Sequence, residues 1–187
     1  IYSVLGLTTP DDPVVRIRPF RAPHHTVSNV AMSGGGSALQ PGEMSLADNG
    51  VLFLDELPEF SPAVLETMRQ PLEDGSITIS RATGSVTYPS RFMLVCAMNP
   101  CKCGWYGHPS GRCRCSPRDV RRYHARVSGP LLDRIDIIVE VPALDFDELT
   151  EPSAGEPSET IRARVNAARA VQRARYGDDT TATNAHM

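Results

Sequence analysis

A short apolar run that ends in two carboxylates sets the fold class of this chain. Residues Gly50 to Leu54 read Gly-Val-Leu-Phe-Leu without interruption, and Asp55 and Glu56 follow at once. An unbroken apolar run of strand length is typical of a parallel strand that is buried on both faces. Open α/β sheets bind ligands at the carboxyl ends of such strands. The run therefore predicts an α/β fold with two acidic side chains at its ligand-binding edge.

The acidic pair has two interpretations. In a nucleoside triphosphatase, Asp55 would hold Mg²⁺, directly or through water, and Glu56 would polarise an attacking water molecule. Alternatively, the two carboxylates cap the following helix or pair with an arginine. The run alone leaves both interpretations open.

The rest of the chain supplies the helices and strands of a mostly parallel sheet. Ser61-Pro62 is typical of a helix start, because proline is favoured at the first helical position. Gly34 to Gly36 predicts either a flexible loop, which we favour, or a close approach of two backbone segments. Further predicted elements are a β-hairpin over residues 76–89, buried strands over 91–98 and 135–141, and helices over 117–127 and 158–176.

Composition excludes several classes of protein. The 187 residues are 41% hydrophobic and 22% charged, which excludes collagen-like and fully disordered chains. No apolar run approaches the roughly 20 residues of a membrane span, so we expect a cytoplasmic protein without a membrane partner. The net charge of −3 gives no global sign of nucleic-acid binding, yet residues 101–127 hold seven Lys or Arg and one acid. Such a block is a solvated face or a contact with phosphate or a neighbouring subunit.

Two more polar residues lie beside predicted strands. Asn99 ends the strand over 91–98, where its amide could orient water beside a γ-phosphate; alternatively, an Asn before a Pro is a turn residue. Arg134 precedes the strand over 135–141 and could act as an arginine finger on a neighbour's nucleotide. Because Asp133 and Asp136 flank it, the alternative is a local ion pair.

Four cysteines in one loop form a candidate metal site. Cys101-x-Cys103 and Cys113-x-Cys115 are separated by nine residues. A cytosolic setting disfavours disulfides, and four thiolates are the tetrahedral ligands of structural zinc. His108 is an alternative ligand or a surface residue. If zinc binds, the loop would present basic side chains beside Trp105 and Tyr106, which suits single-stranded nucleic acid; the alternative is a folded loop without a ligand.

Together these motifs resemble the magnesium-chelatase-like AAA+ ATPases, specifically the ComM (YifB) branch. The resemblance runs from about Arg18 to Leu144. It is carried by RPFRAPHHT, LFLDELPEF, AMNPC, CKCGWYG…CRC and SGPLLDRID, in that order.

The resemblance implies a role for each candidate residue. Asp55 and Glu56 match the Walker B pair of the family, Asn99 matches sensor 1, and Arg134 matches the arginine finger. The hairpin over 76–89 resembles the pre-sensor-1 insertion, and the Gly34 to Gly36 region resembles the helix-2 insertion. The implied protein binds Mg-ATP, forms a hexameric ring and moves DNA by branch migration during natural transformation. A magnesium-chelatase motor subunit and a non-catalytic zinc-loop module that binds DNA or protein are the alternatives.

The chain departs from the family pattern in one respect. The phosphate-binding motif G-x-x-x-x-G-K-[ST] does not occur in it. We therefore expect a partial AAA+ (P-loop NTPase) core that does not hydrolyse ATP alone. In the family sheet the phosphate-loop strand lies between the strands that match 91–98 and 135–141, so either another segment fills that place or the last strand is displaced.

The expected organisation has four parts. Residues 1–149 form the partial AAA+ core, which includes the hairpin over 76–89 and the cysteine loop over 100–117. A linker over 150–157, a helix over 158–176 and a disordered tail over 177–187 follow.

Overall fold

A three-stranded parallel sheet organises the amino-terminal unit of the protein. The computed structural model describes residues 1–3, 5–82, 84–142 and 155–177. Contacts divide the chain into two compact units, Ile1–Glu140 and Val141–Met187. Residues 150–154 of the predicted linker and residues 178–187 of the predicted tail lie outside the described residues.

The helices and strands of the two units have the following bounds. The strands are β1 (Phe20–Arg21), β2 (Gly34–Gly35), β3 (Gln40–Pro41), β4 (Val51–Leu54), β5 (Ser76–Arg81), β6 (Gly84–Pro89) and β7 (Met93–Cys96). The helices are α1 (Asn29–Ser33), α2 (Glu43–Leu46), α3 (Pro62–Thr67), α4 (Arg69–Asp74), α5 (Pro117–His124), α6 (Gly129–Leu132) and α7 (Ser158–Tyr176), with a short 3-10 helix over Leu57–Glu59.

The central strand of the parallel sheet is β4. Its neighbours are β1, paired through Phe20 with Val51, and β7, paired from Met93 with Val51 to Cys96 with Leu54. The side chains of Leu52 and Leu54 are fully buried, as the apolar run predicts. Full burial of a leucine contributes roughly 1.5–3 kcal/mol, so this short strand is a main source of stability. The α/β fold class is confirmed.

Helices and a hairpin pack around this strand. The hydroxyl of Ser61 caps α3 by accepting the N–H of Val64 at 3.3 Å, and Leu65 and Met68 are fully buried in the core. Strands β5 and β6 pair in antiparallel register from Ser76 with Pro89 to Arg81 with Gly84. None of the described helices has the length and apolar character that a membrane crossing requires.

The prediction of a buried strand over residues 135–141 is wrong. These residues form no strand, and the side chains of Ile137, Ile138 and Val139 are 77%, 76% and 73% exposed. A strand joins a sheet only through backbone hydrogen bonds to a neighbour. The family arrangement puts the phosphate-loop strand in that neighbouring place, and its motif is absent from these 187 residues. Within the described part of the chain, β7 pairs with β4 alone, which leaves its other edge open.

Of the two alternatives for Gly34 to Gly36, the favoured flexible loop is wrong and the close backbone approach is found. Gly34 and Gly35 form β2, which pairs with β3. Gly34 has a φ of +99°, and a Cβ atom there would lie 2.6 Å from the carbonyl oxygen of Gln40. The glycines therefore serve a close approach of two backbone segments.

Gly50 has a similar role at the start of β4. A Cβ atom on Gly50 would lie 2.0 Å from the carbonyl oxygen of Pro19. The same oxygen accepts the N–H of Val51 at 2.8 Å and so begins the pairing of β1 with β4. Backbone atoms cannot move aside as a flexible side chain can, so a larger residue would separate the two strands.

Gly50→Ala is expected to lower the free energy of unfolding by about 1–3 kcal/mol, the usual effect of overpacking a close contact. Urea unfolding followed by circular dichroism measures this change. Gly129→Ala is the matched control, because a Cβ atom there meets nothing within 4 Å. Equal unfolding midpoints for the two variants would contradict the close approach at Gly50.

Candidate functional site

The acidic pair lies exposed at the carboxyl edge of the parallel sheet. Asp55 follows β4 directly, and its Oδ1 accepts the N–H of Glu56 at 2.8 Å. Both residues are exposed, while the next residue, Leu57, is buried and donates its N–H to the carbonyl of Ala97 at 3.0 Å. The structure therefore places both carboxylates at the edge where parallel sheets bind ligands.

Glu56 has an unusual backbone conformation. Its φ of 53° and ψ of 45° lie in the left-handed region. Residues other than glycine rarely adopt this region, and in folded proteins such strained positions cluster at functional sites. The conformation turns the chain sharply between β4 and the buried 3-10 helix.

The side chain of His25 contacts Glu56, a contact that the sequence analysis does not predict. The Nδ1 atom of His25 lies 3.3 Å from Oε2 of Glu56. The ring centroid of His25 also lies 4.0 Å from that of His24, with the two rings tilted, and the His25 ring meets Phe60 edge-on at 6.4 Å. The only sequence signal was the adjacent histidine pair, and nothing local in it points to a carboxylate 31 residues further along the chain.

Asn99 lies at the same edge of the sheet, three residues beyond the end of β7. Its backbone N–H donates to the hydroxyl of Tyr123 in α5. Burial, followed by the charges of Glu59 and Glu56, raises the pKa of Tyr123. The next carbonyl, that of Pro100, lies 2.9 Å from Nε2 of His124. Helix α5 thus holds the backbone of Asn99 while its side chain stays exposed.

Arg134 makes no contact with Asp55, Glu56 or Asn99 among the described residues. It follows α6, and its guanidinium pairs with Glu73 of α4 and donates to the carbonyl of Pro130. The side chain is 20% exposed, and its Nε atom is buried without a hydrogen-bond partner among the described residues. The structure therefore pairs Arg134 with its own chain and does not bring it to the acidic edge.

The four loop cysteines converge on one point. The Sγ atom of Cys101 lies 3.3 Å from that of Cys103 and 3.8 Å from that of Cys113, and the latter two are 3.7 Å apart. All four Sγ atoms, with that of Cys115, lie within 4.8 Å of one another. A tetrahedral zinc site with Zn–S bonds of about 2.3 Å has edges of about 3.8 Å. The cluster has the dimensions of a tetrathiolate metal site.

Backbone amides surround these sulfurs. The N–H groups of Trp105 and Arg114 donate to Sγ of Cys103 and lower the pKa of that thiol to about 6. By contrast, burial alone raises the pKa of Cys96, the cysteine in β7, to about 12. Cys96 packs against the hydrophobic core as a neutral thiol.

The cysteine loop presents basic and aromatic side chains together. The guanidinium carbon of Arg112 lies 5.0 Å from the ring centroid of Trp105, a cation–π contact. His108 meets the same indole edge-on at 4.9 Å, while its Nδ1 lies 2.7 Å from the Ser110 hydroxyl. His108 is therefore part of the loop surface and lies outside the thiol cluster.

The parallel sheet with an exposed acidic carboxyl edge is an α/β arrangement of the kind found in AAA+ proteins. A family model described as magnesium chelatase, subunit ChlI, matches residues 1–149. The chain belongs to this magnesium chelatase family, and its resemblance to the ComM (YifB) branch is confirmed.

The relatives of the chain agree with this assignment. The competence protein ComM of Haemophilus influenzae is 51% identical over 161 residues, which are 86% of this chain and 31% of the relative. The uncharacterized protein YifB of Escherichia coli is 50% identical over 82% of this chain and 30% of its own length. The 67 kDa magnesium-chelatase subunit of Heliobacterium mobile is 27% identical over 75% of this chain and 20% of its own length. The chain thus spans less than a third of the length of these relatives.

Ser116 is expected to support the site through α5. Its hydroxyl accepts the N–H of Asp119 at 3.2 Å, and the Asp119 carboxylate accepts the Ser116 hydroxyl and N–H in return. Ser116→Ala should lower the free energy of unfolding by about 1 kcal/mol, measured by urea unfolding at pH 7. Ser158→Ala is the control, because this residue of α7 makes no side-chain cap.

The effect of Ser116→Ala should also depend on pH. The hydroxyl and N–H of Ser116, aided by Arg122, lower the pKa of Asp119 in the folded protein. A lowered carboxyl pKa stabilises the fold above its ordinary range, and this contribution disappears as the pH falls through the lowered value. The difference between wild type and variant should therefore shrink in acid; a constant difference would contradict the capping box.

Proposed function

We propose that the chain is part of an ATP-driven ring motor that acts on DNA. The observation that carries this proposal is the exposure of Asp55, Glu56 and Asn99 at one edge of a parallel sheet in a member of the magnesium chelatase family. Exposed carboxylates at a strand end suit a divalent cation, because Mg²⁺ takes oxygen ligands. Within the described residues, neither carboxylate forms an ion pair with an arginine or lysine that would occupy it.

Each residue then has a distinct role at the bound nucleotide. Asp55 holds the Mg²⁺ of Mg-ATP, which neutralises charge on the phosphates. Glu56 polarises the water that attacks the γ-phosphate. The Nδ1 atom of His25 lies 3.3 Å from Oε2 of the same carboxylate. Asn99 orients the water through its side-chain amide. The family resemblance supports these assignments.

The remaining parts of the nucleotide site come from elsewhere. These 187 residues contain no phosphate-binding loop motif, so we propose that the chain alone does not hydrolyse ATP. Arg134 acts on the nucleotide of a neighbouring subunit in a homo-hexameric ring. For that role the guanidinium of Arg134 must separate from Glu73. The ion pair with Glu73 therefore holds Arg134 away from a neighbour's nucleotide before the ring assembles.

The cysteine loop is the proposed DNA contact. Lys102, Arg112 and Arg114 are exposed, as are Trp105 and Tyr106. Phosphates pair with basic side chains, and bases stack on aromatic rings in single-strand binding. The Haemophilus influenzae relative is named a competence protein. We propose that the motor carries out branch migration of DNA in the cytoplasm during natural transformation.

A chelatase motor is the second candidate, favoured by the family description and by the Heliobacterium relative. DNA-stimulated ATP hydrolysis by the full-length protein supports the DNA motor. ATP-dependent insertion of Mg²⁺ into a porphyrin supports the chelatase. If the full-length protein shows neither activity, the result supports a non-catalytic zinc-loop module that binds DNA or protein.

Glu56→Gln in the full-length protein is expected to lower kcat for ATP hydrolysis at least about 100-fold, because it removes the group that polarises water. Binding of ATP, followed with a fluorescent analogue, should stay within a few-fold. Glu159→Gln in α7 is the control, since that carboxylate is exposed and far along the chain. Unchanged ATP hydrolysis by Glu56→Gln would contradict the catalytic role of Glu56.

A double variant, Arg112→Ala with Arg114→Ala, should weaken binding of a fluorescent single-stranded oligonucleotide by the full-length protein. The slope of log affinity against log salt should fall by about 1.4, because each phosphate contact on a single strand contributes about 0.7. Arg16→Ala is the control, an exposed arginine with only a long contact to Asp12. An unchanged salt slope excludes these arginines as phosphate contacts.

A further inference from the structure

We infer that Cys101, Cys103, Cys113 and Cys115 bind one structural Zn²⁺ ion, and that this ion fixes the backbone of Asn99 at the edge of the sheet. The metal half of the inference stands on the thiol geometry alone. The positioning of Asn99 by the ion also stands on geometry. Only the catalytic importance of that position rests on the proposed function.

The geometry favours one shared ion over two disulfides. Three of the sulfurs form a triangle with sides of 3.3, 3.7 and 3.8 Å, close to the edges of a zinc tetrathiolate. A disulfide would bring two sulfurs to about 2.05 Å and leave the other two without a common centre. Convergence of all four atoms is the arrangement that a metal requires.

The loop has few buried side chains of its own. Residues 97–116 contain no helix or strand, and none of residues 102–116 is buried. Loops of this length without secondary structure are uncommon and are usually either functional or disordered. Cys101 is fully buried and forms the base of the cluster. A bound ion would supply the core that the side chains of the loop do not provide.

The loop offers the electrostatic support that four thiolates need. Four thiolates and one Zn²⁺ carry a net charge of −2, and the thiol protons pass to solvent on binding. The amides of Trp105 and Arg114 donate to Cys103, and the amide of Cys115 donates to Cys113. Such donors around metal ligands orient them and offset their charge. The Lys and Arg side chains of the same loop add positive charge.

The two ends of the cluster lie at the two elements that hold Asn99. Cys101 follows Asn99 by two residues, and Cys115 directly precedes Ser116, the N-cap of α5. Helix α5 in turn holds Asn99 through the hydroxyl of Tyr123 and approaches Pro100 through His124. An ion that joins Cys101 to Cys115 therefore closes the chain between β7 and α5 and keeps the peptide of Asn99 against Tyr123.

Elemental analysis of the full-length protein, purified without chelators, tests the metal site. We expect about one zinc per chain, and X-ray absorption at the zinc edge should show four sulfur ligands at about 2.3 Å. Cys113→Ser should lose most of the zinc, whereas Cys96→Ser, the matched control in β7, should keep it. Less than about half an equivalent in wild type, a nitrogen- or oxygen-dominated shell, or a disulfide found by mass spectrometry would overturn the site.

Cobalt substitution keeps this test decisive if Cys113→Ser fails to fold. Wild-type protein exchanged with Co²⁺ should show the intense sulfur-to-metal charge-transfer bands of a tetrahedral tetrathiolate. Octahedral cobalt spectra would overturn the assignment in the same way as a deficit of zinc.

Hydrogen exchange tests the link to Asn99. Removal of the ion by chelation should speed exchange of the amides over residues 99–101 and 117–124 at least about tenfold, while the amides of β4 keep their protection. Unchanged exchange in protein that has lost its zinc would overturn the positioning role and leave the metal site intact. Absence of ATP hydrolysis in zinc-loaded wild type would instead count against the proposed function, so the two failures are distinguishable.

Discussion

The parallel pairing of β4 with β7 decides where the polar groups of the candidate site lie. The N–H of Ala97 donates to the carbonyl of Leu54 at 2.9 Å, and the N–H of Leu57 donates back to Ala97 at 3.0 Å. Because both strands run in the same direction, the chain leaves both at one edge. Asp55 and Glu56, which follow β4, and Asn99, which follows β7, lie at the same edge of the sheet for this reason. Burial of Leu52 and Leu54 beneath the helices keeps the pairing in register.

The parts of this arrangement that local patterns encode could be predicted. The apolar run at β4 and the alternation over 76–89 specify strands, since each periodicity matches one backbone geometry. Ser61-Pro62 and Ser116-Pro117 specify helix starts through capping, which involves only neighbouring residues. The spacing of the cysteines indicated convergence, and the structure brings all four sulfurs together.

The parts that depend on distant segments could not be predicted from local patterns. Residues 135–141 have the composition of a strand, but a strand needs a hydrogen-bonding neighbour, and the open edge of β7 does not reach them. Gly34 has the local character of a loop, yet its conformation is set by the carbonyl of Gln40. The contact of His25 with Glu56 likewise depends on β1 lying beside β4, which brings residues 31 positions apart together.

The two sides of the acidic edge are held by different physical means. Glu56 has a left-handed backbone, which costs of order 1–3 kcal/mol and persists only where the surroundings over-determine it. Here the surroundings are the buried Leu57 and its hydrogen bond to Ala97, so the core itself directs Glu56 and the histidine contact comes second. Asn99 has no comparable strain, and the residues on either side of it, Met98 and Pro100, are exposed. The position of Asn99 depends on Tyr123 and on closure of the cysteine loop. A change in that loop can therefore move Asn99 without disturbing β4.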